Sequence, residues 1–170
     1  MIKVGQTWRT KGGAIMTITH RGGDLVRPWY ATPEGGGMGY SVSNEGVSPY
    51  IDRHDLGERM TRVYIAGPMT GYVDLNFPAF HRVAKLYRDR GCYVINPAEI
   101  NGGPNEPALY NAMSPEDKYE HWVNCMKKDI SALLTCEMIV MLPGWTESTG
   151  AKLEHHVARS LNLTIAYHDN

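Results

Sequence analysis

Two acidic residues stand where a folded chain ordinarily places apolar ones. Glu154 lies in the segment Ser148-Thr-Gly-Ala-Lys-Leu-Glu-His-His-Val-Ala-Arg-Ser-Leu161, in helical register with Gly150, Val157, Ala158 and Leu161, the stripe expected to face a core. Asp129 repeats the anomaly beside the stripe Trp122, Met126, Ile130 and Leu133. Neither has a Lys or Arg three or four residues away, and Lys127 and Lys128 should point elsewhere. An unpaired buried carboxylate costs several kcal/mol or titrates upward, so such a position calls for a cavity or a substrate. The bland alternative for Glu154 is a half-exposed residue favoured by the positive end of its helix. Two under-paired carboxylates at one cleft are what cleavage of a glycosidic bond requires: one stabilises an oxocarbenium-like carbon and the other handles protons.

Other reactive side chains carry less. His121 and Cys125 stand four apart on a predicted helix, but two ligands without a second pair do not make a metal site, and no metal or cofactor is expected. Cys92, Cys125 and Cys136 are odd in number and lack a Cys-x-x-Cys spacing, so they read as reduced, mostly buried thiols. His155-His156 reads as one half-buried ring beside a solvated one.

Positioning those acids is the work of the second part of the chain. From Thr61 onward, alternating strand and helix signals announce a parallel sheet with crossover helices, a flavodoxin- or Rossmann-like α/β fold. Residues 62–66 form a first buried strand ending in the turn Gly67-Pro68-Met69-Thr70-Gly71. A helix over 77–90 follows, with Asn76 able to cap it, Pro78 in its first turn and Gly91 at its stop. Strands are expected at 93–97, 137–142 and 163–167, and further helices from Ser114 to about Leu134 and over 150–161. In an open sheet of this kind ligands sit beyond the carboxyl ends of the strands, where strand order reverses. The loops 67–71, Asn96-Pro97 and 143–150 should therefore meet at one crevice with Glu154 at its floor.

The first part has a different texture, because eleven of the 18 glycines precede residue 60. Candidate strands at 6–9, 14–20, 25–31 and 40–43, and a short piece at 47–51, are joined by turns at Gly12-Gly13 and Gly22-Gly23. This predicts a small all-β SH3-like barrel or meander over 1–58, preceding the α/β domain at 61–170. Trp8, Trp29, Tyr30 and Tyr40 either fill its core or form a binding face.

With 170 residues, 42% hydrophobic content and a net charge of −1, the chain gives no reason to expect a nucleic acid or an anionic membrane as partner. There is no spanning apolar run and no apolar leader, so a cytoplasmic location is expected.

On these residues the chain resembles the nucleoside 2-deoxyribosyltransferase superfamily. The likeness rests on Arg62-Val-Tyr-Ile-Ala-Gly-Pro-Met-Thr-Gly71, Met126-Lys-Lys-Asp129-Ile, Met138-Ile-Val-Met-Leu142 and Ser148-x-Gly150-Ala-x-Leu-Glu154 with Ala158, and covers roughly residues 61–167. Within the superfamily it looks most like a phage-type deoxyribosyltransferase-like domain and the deoxynucleoside 5′-monophosphate N-glycosidases. The resemblance implies Glu154 as nucleophile on the anomeric carbon, Tyr64 as the group orienting it and Asp129 as an acid at the site. It also implies a substrate cradle of Gly67, Pro68, Met69, Thr70, Gly71, Asn96, Ser148, Gly150 and Lys152. Ser148 stands where nucleoside-using transferases carry an aspartate, so a 5′-phosphate is expected rather than repelled, with Lys152 adding charge. Departures are Lys152 and His156, both at family glycine positions. The resemblance implies a small-molecule nucleotide or nucleoside as partner and a homodimer or higher oligomer. A hydrolase with base transfer as a variant is one reading; a nucleotide-binding module without turnover is the other.

Overall fold

The computed structural model describes residues 1–48, 56–102 and 106–169. Contacts divide the chain into Met1–Thr61 and Arg62–Asn170.

In the first unit, strands β1 (Thr7–Thr10), β2 (Ile15–Arg21), β3 (Trp29–Pro33), β4 (Tyr40–Val42) and β5 (Leu56–Met60) form a curled antiparallel sheet in the order β4-β3-β2-β1-β5. Inward alternation along β2 buries Met16 and Ile18. They pack with Ile2, Ala31, Val42 and Leu56, and Trp8, Trp29 and Tyr40 lie against that core. Tyr30 instead stacks on His20, with ring centroids 4.8 Å apart. Two expectations need correction. The segment from 25 does not start a strand, because the Asp24 carboxylate accepts the backbone N–H groups of Val26 and Arg27 and turns the chain, leaving Leu25 and Val26 exposed. β5 carries no strand signal of its own, since Leu-Gly-Glu-Arg-Met has weak β-propensity; its place comes from pairing with β1, Trp8 opposite Arg59. Val47 is outside any strand, and the rest of the 47–51 piece falls mostly outside the described residues.

The second unit holds a four-stranded parallel sheet, β6 (Arg62–Ala66), β7 (Tyr93–Ile95), β8 (Met138–Met141) and β9 (Thr164–Tyr167), in the order β7-β6-β8-β9. Its helices are α1 (Phe77–Asp89), α2 (Pro97–Ile100), α3 (Glu106–Ala112), α4 (Pro115–Leu133) and α5 (Thr149–Ser160). The chain moves from β6 outward to β7, then back past β6 to β8, so the order reverses between β6 and β8. Every residue of β6 is buried, as a central strand covered on both faces requires. Its alternation then sorts the two cores. Val63 and Ile65 meet Phe80, Val83 and Ala84 of α1, while Tyr64 and Ala66 face Leu133, Ala151 and Ala158 on the side of α4 and α5. Burying a side chain such as Phe80 completely contributes about 1.5–3 kcal/mol.

Local signals set the helix ends. Ser114 accepts from the Asp117 amide at 3.1 Å and Ser148 from the Ala151 amide at 3.2 Å, each an N-cap contributing about 1 kcal/mol. Asn76 precedes α1 but makes no side-chain cap. It ends a run of left-handed residues, Asp74, Leu75 and Asn76 at φ 49, 51 and 60, and its amide donates to the Pro68 carbonyl at 2.9 Å. α2 and α3 occupy a stretch whose Gly, Pro and Asn content reads as loop. No helix among the described residues is long and apolar enough to cross a membrane.

Candidate active site

Because Tyr64 points to the α4/α5 face of the sheet, its hydroxyl meets the carboxylates that those helices carry. Tyr64 is fully buried and Glu154 is 4% exposed, and the hydroxyl donates to Glu154 Oε1 at 2.5 Å. No cation pairs with Glu154 among the described residues. Burial pushes the Glu154 carboxyl up to about 8; the Tyr64 hydrogen bond works against that rise, and the charge of Asp129 adds to it. Burial likewise holds the Tyr64 hydroxyl well above its usual range, with the two carboxylates reinforcing it.

Asp129, on α4, is 6% exposed and accepts from the Asn101 amide at 2.8 Å. Its carboxyl is pushed up to about 6 by burial, with the hydrogen bond from Asn101, the nearby Tyr64 hydroxyl and the charge of Lys128 pulling the other way. Glu154, Tyr64 and Asp129 thus form one coupled group. Between about pH 6 and 8 the two carboxyls together hold one proton, an acid and a base side by side.

The pair opens onto a cleft beyond the carboxyl ends of β6, β7 and β8. Of the residues singled out in the sequence, Gly67, Met69, Thr70, Asp129, Ser148, Gly150 and Glu154 line it. Tyr64 lies beneath, reaching it through Glu154. Pro68, Gly71, Asn96 and Lys152 are not among the lining residues. The Asn96 side chain is taken by the start of α2, where Oδ1 accepts from the Ala98 amide, and Lys152 is exposed. Gly67 serves packing: a Cβ there would stand 2.8 Å from that of Leu142. Gly71 has φ +86 with open space around it, so its requirement is the turn itself. Ser148 brings both its hydroxyl and the first turn of α5 to the wall.

Sequence reasoning missed Asn101, Glu106, Phe77, Phe80, Tyr110 and Met126 as lining residues. Asn101 and Glu106 sit in the stretch read as loop, where no periodicity marks which side chains turn inward. Phe77 and Phe80 were legible only as core, being apolar at helical spacing. The His121–Cys125 spacing was visible, and their contact is 3.3 Å, Nε2 to Sγ. Nothing in the sequence linked them to Glu106, whose Oε1 lies 2.7 Å from the same Nε2. His155 packs on Trp145 at 4.3 Å between centroids, whereas His156 is exposed.

Comparison with known proteins gives a family and a distant structural likeness. The family model described as Domain of unknown function (DUF4406) matches residues 61–167. No curated protein matches the sequence. Among solved structures, one described as "2-desoxiribosyltransferase from Leishmania mexicana" is similar at 18% identity and a TM-score of 0.43, over 63% of either chain. The chain therefore spans less than two thirds of that protein's length.

Proposed function

Within the DUF4406 family of domains of unknown function, to which this chain belongs, we propose that this protein is an N-glycosidase that cleaves the base–sugar bond of deoxynucleoside 5′-monophosphates. A Glu154 oxygen attacks C1′, the C1′–N bond breaks, and its electron pair leaves with the base, which takes a proton from Asp129. Water, giving its proton back to Asp129, then opens the glycosyl ester; a second base in place of water gives transfer. Attack needs Glu154 ionised and Asp129 protonated. Positive charge growing at C1′ favours that placement of the shared proton, because it stabilises the carboxylate nearest the sugar. Tyr64 holds the attacking carboxylate by its hydrogen bond.

The observation that carries this reading is a buried carboxyl at the cleft floor, bound by a buried tyrosine and without a cationic partner among the described residues. A structural ion pair would not be built so. Ser148 supports the monophosphate: a hydroxyl and the open amides of a helix start accept a phosphate that a carboxylate would repel. The family resemblance implies a homodimer or higher oligomer, and the short strands and tight turns of the N-terminal part suggest an SH3-like barrel or meander there.

A second reading, a nucleotide-binding module without turnover, is favoured by the upward shift of Glu154, since a protonated acid is a poor nucleophile. Chromatography of free base released from deoxynucleosides and their monophosphates separates the two. The glycosidase releases base from monophosphates and Glu154→Gln stops it; nucleotide binding with no release at any pH from 5 to 9 (roughly, spanning both carboxyls) supports the binder.

A further inference from the structure

The wall of the cleft formed by α3 and the first half of α4 carries a group that the glycosidic chemistry leaves unused. Glu106 is 6% exposed and lines the cleft, yet its buried Oε1 has no hydrogen-bond partner among the described residues. Among the described residues the His121 ring is its ion-pair neighbour, with Nε2 2.7 Å from Oε1 in a contact that lacks hydrogen-bond geometry. No lysine or arginine pairs with Glu106 among the described residues. A carboxylate buried this way waits for donors.

Two ready explanations fail on geometry. A Cys-His-acid relay needs the acid on the ring nitrogen opposite the thiol, but Glu106 and Cys125 both approach Nε2. A metal would need Glu106, His121 and Cys125 to converge on one point, and no such group of three is present among the described residues.

We propose that Glu106, with His121, reads the base of the bound nucleotide and selects one that bears an exocyclic amino group. This rests on the nucleotide reading above. His121 and Asp129 are eight residues apart on one helix, about 12 Å along its axis. Cys125 and Met126 lie between them on the same wall of the cleft. Phe77, Phe80, Tyr110 and Trp122 supply the flat apolar lining that a base needs. The edge it meets there is acceptor-rich. A carboxylate only accepts. Adenine, guanine and cytosine bring amino donors to such an edge, whereas thymine and uracil offer only the N3–H between two carbonyl oxygens, whose lone pairs would face those of the protein.

Calorimetric titration of the Glu154→Gln protein, which binds without turnover, tests the idea with dCMP against dUMP, a pair that differs by a 4-amino group beside a bare N3 against a 4-carbonyl beside an N3–H. The expected result is at least about tenfold tighter binding of dCMP, with dAMP and dGMP likewise above dTMP. Adding Glu106→Gln, which keeps the shape but supplies a donor, should reduce the gap to less than about threefold. Equal binding of dCMP and dUMP overturns the inference, as does a Glu106→Gln change that weakens all five alike; the first comparison stands even if the second variant fails to fold. Should nucleotides bind and be hydrolysed without preference, this inference alone falls; should none bind, the nucleotide reading falls with it.

Discussion

The Tyr64 hydroxyl reaches Glu154 Oε1 across 2.5 Å, joining a central strand to a helix 90 residues later. Both groups are buried, so the bond is made where water cannot replace it. Tyr64→Phe deletes the donor while keeping the ring that packs against Leu133 and Ala158. The expected result is a fall in kcat/KM of about 10- to 100-fold, since a hydrogen bond to a charged group is worth roughly 1.5–3 kcal/mol. The pH at which activity appears should also move upward, because that bond lowers the Glu154 pKa. A rate-against-pH series on the two proteins checks both.

Coupling between the two carboxyls has its own signature. Asp129 raises the Glu154 pKa by its charge, so Asp129→Asn should let Glu154 ionise at lower pH even as it removes the group that serves the base. The profile of kcat/KM in the wild type should be bell-shaped, with limbs near the values of about 6 and 8 that belong to the pair. In Asp129→Asn the limb that reports loss of the acid should vanish, and the residual activity should be low and flat at high pH.

Stability should carry the opposite sign to that of ordinary surface acids. Both carboxyls titrate higher in the folded protein than their usual values, so between about pH 4 and 8 the native state binds more protons than the unfolded one. Stability is then fullest below the ordinary carboxylate range and is lost as pH climbs through the raised values. Glu154→Gln removes the largest part of that loss. Thermal melting at pH 5 and pH 9 should show the variant gaining on the wild type at the higher pH, by an amount on the order of a few kcal/mol.

Ser148 separates a cap from a specificity group. Ser148→Asp keeps an acceptor for the Ala151 amide, so α5 should retain its start and the melting temperature should stay close to the parent's. A carboxylate at that wall repels a phosphate, and the ratio of kcat/KM for a monophosphate over its nucleoside should fall at least about tenfold. Ser148→Ala should instead cost about 1 kcal/mol of stability through the lost cap.

Much of this arrangement was legible in the chain, for reasons of period. Alternation across the strand at 62–66 sends Tyr64 to one face, and the helical stripes put Asp129 and Glu154 on the faces turned to it, which depends only on residue spacing. The loop rule then located the cleft from Gly67, Met69, Thr70 and Ser148. What stayed hidden has no period. Asn101 and Glu106 come from a Gly-, Pro- and Asn-rich stretch whose side chains are aimed by tertiary contacts, the one by Asp129 and the other by His121. Asn76 looked like a cap by residue type, but a left-handed backbone turned its amide to Pro68 instead. β5 was hidden for the same reason: its partner strand holds it, and its own composition does not.

The account rests on Glu154 forming a bond to the sugar, and intact-mass spectrometry after acid quench addresses that directly. Protein mixed with a deoxynucleoside 5′-monophosphate and stopped within the first turnover should carry one added 5-phosphodeoxyribosyl unit, mapped to the peptide containing Glu154 and absent from Glu154→Gln. Base released at an undiminished rate by Glu154→Gln, with no adduct on the wild type, would contradict it.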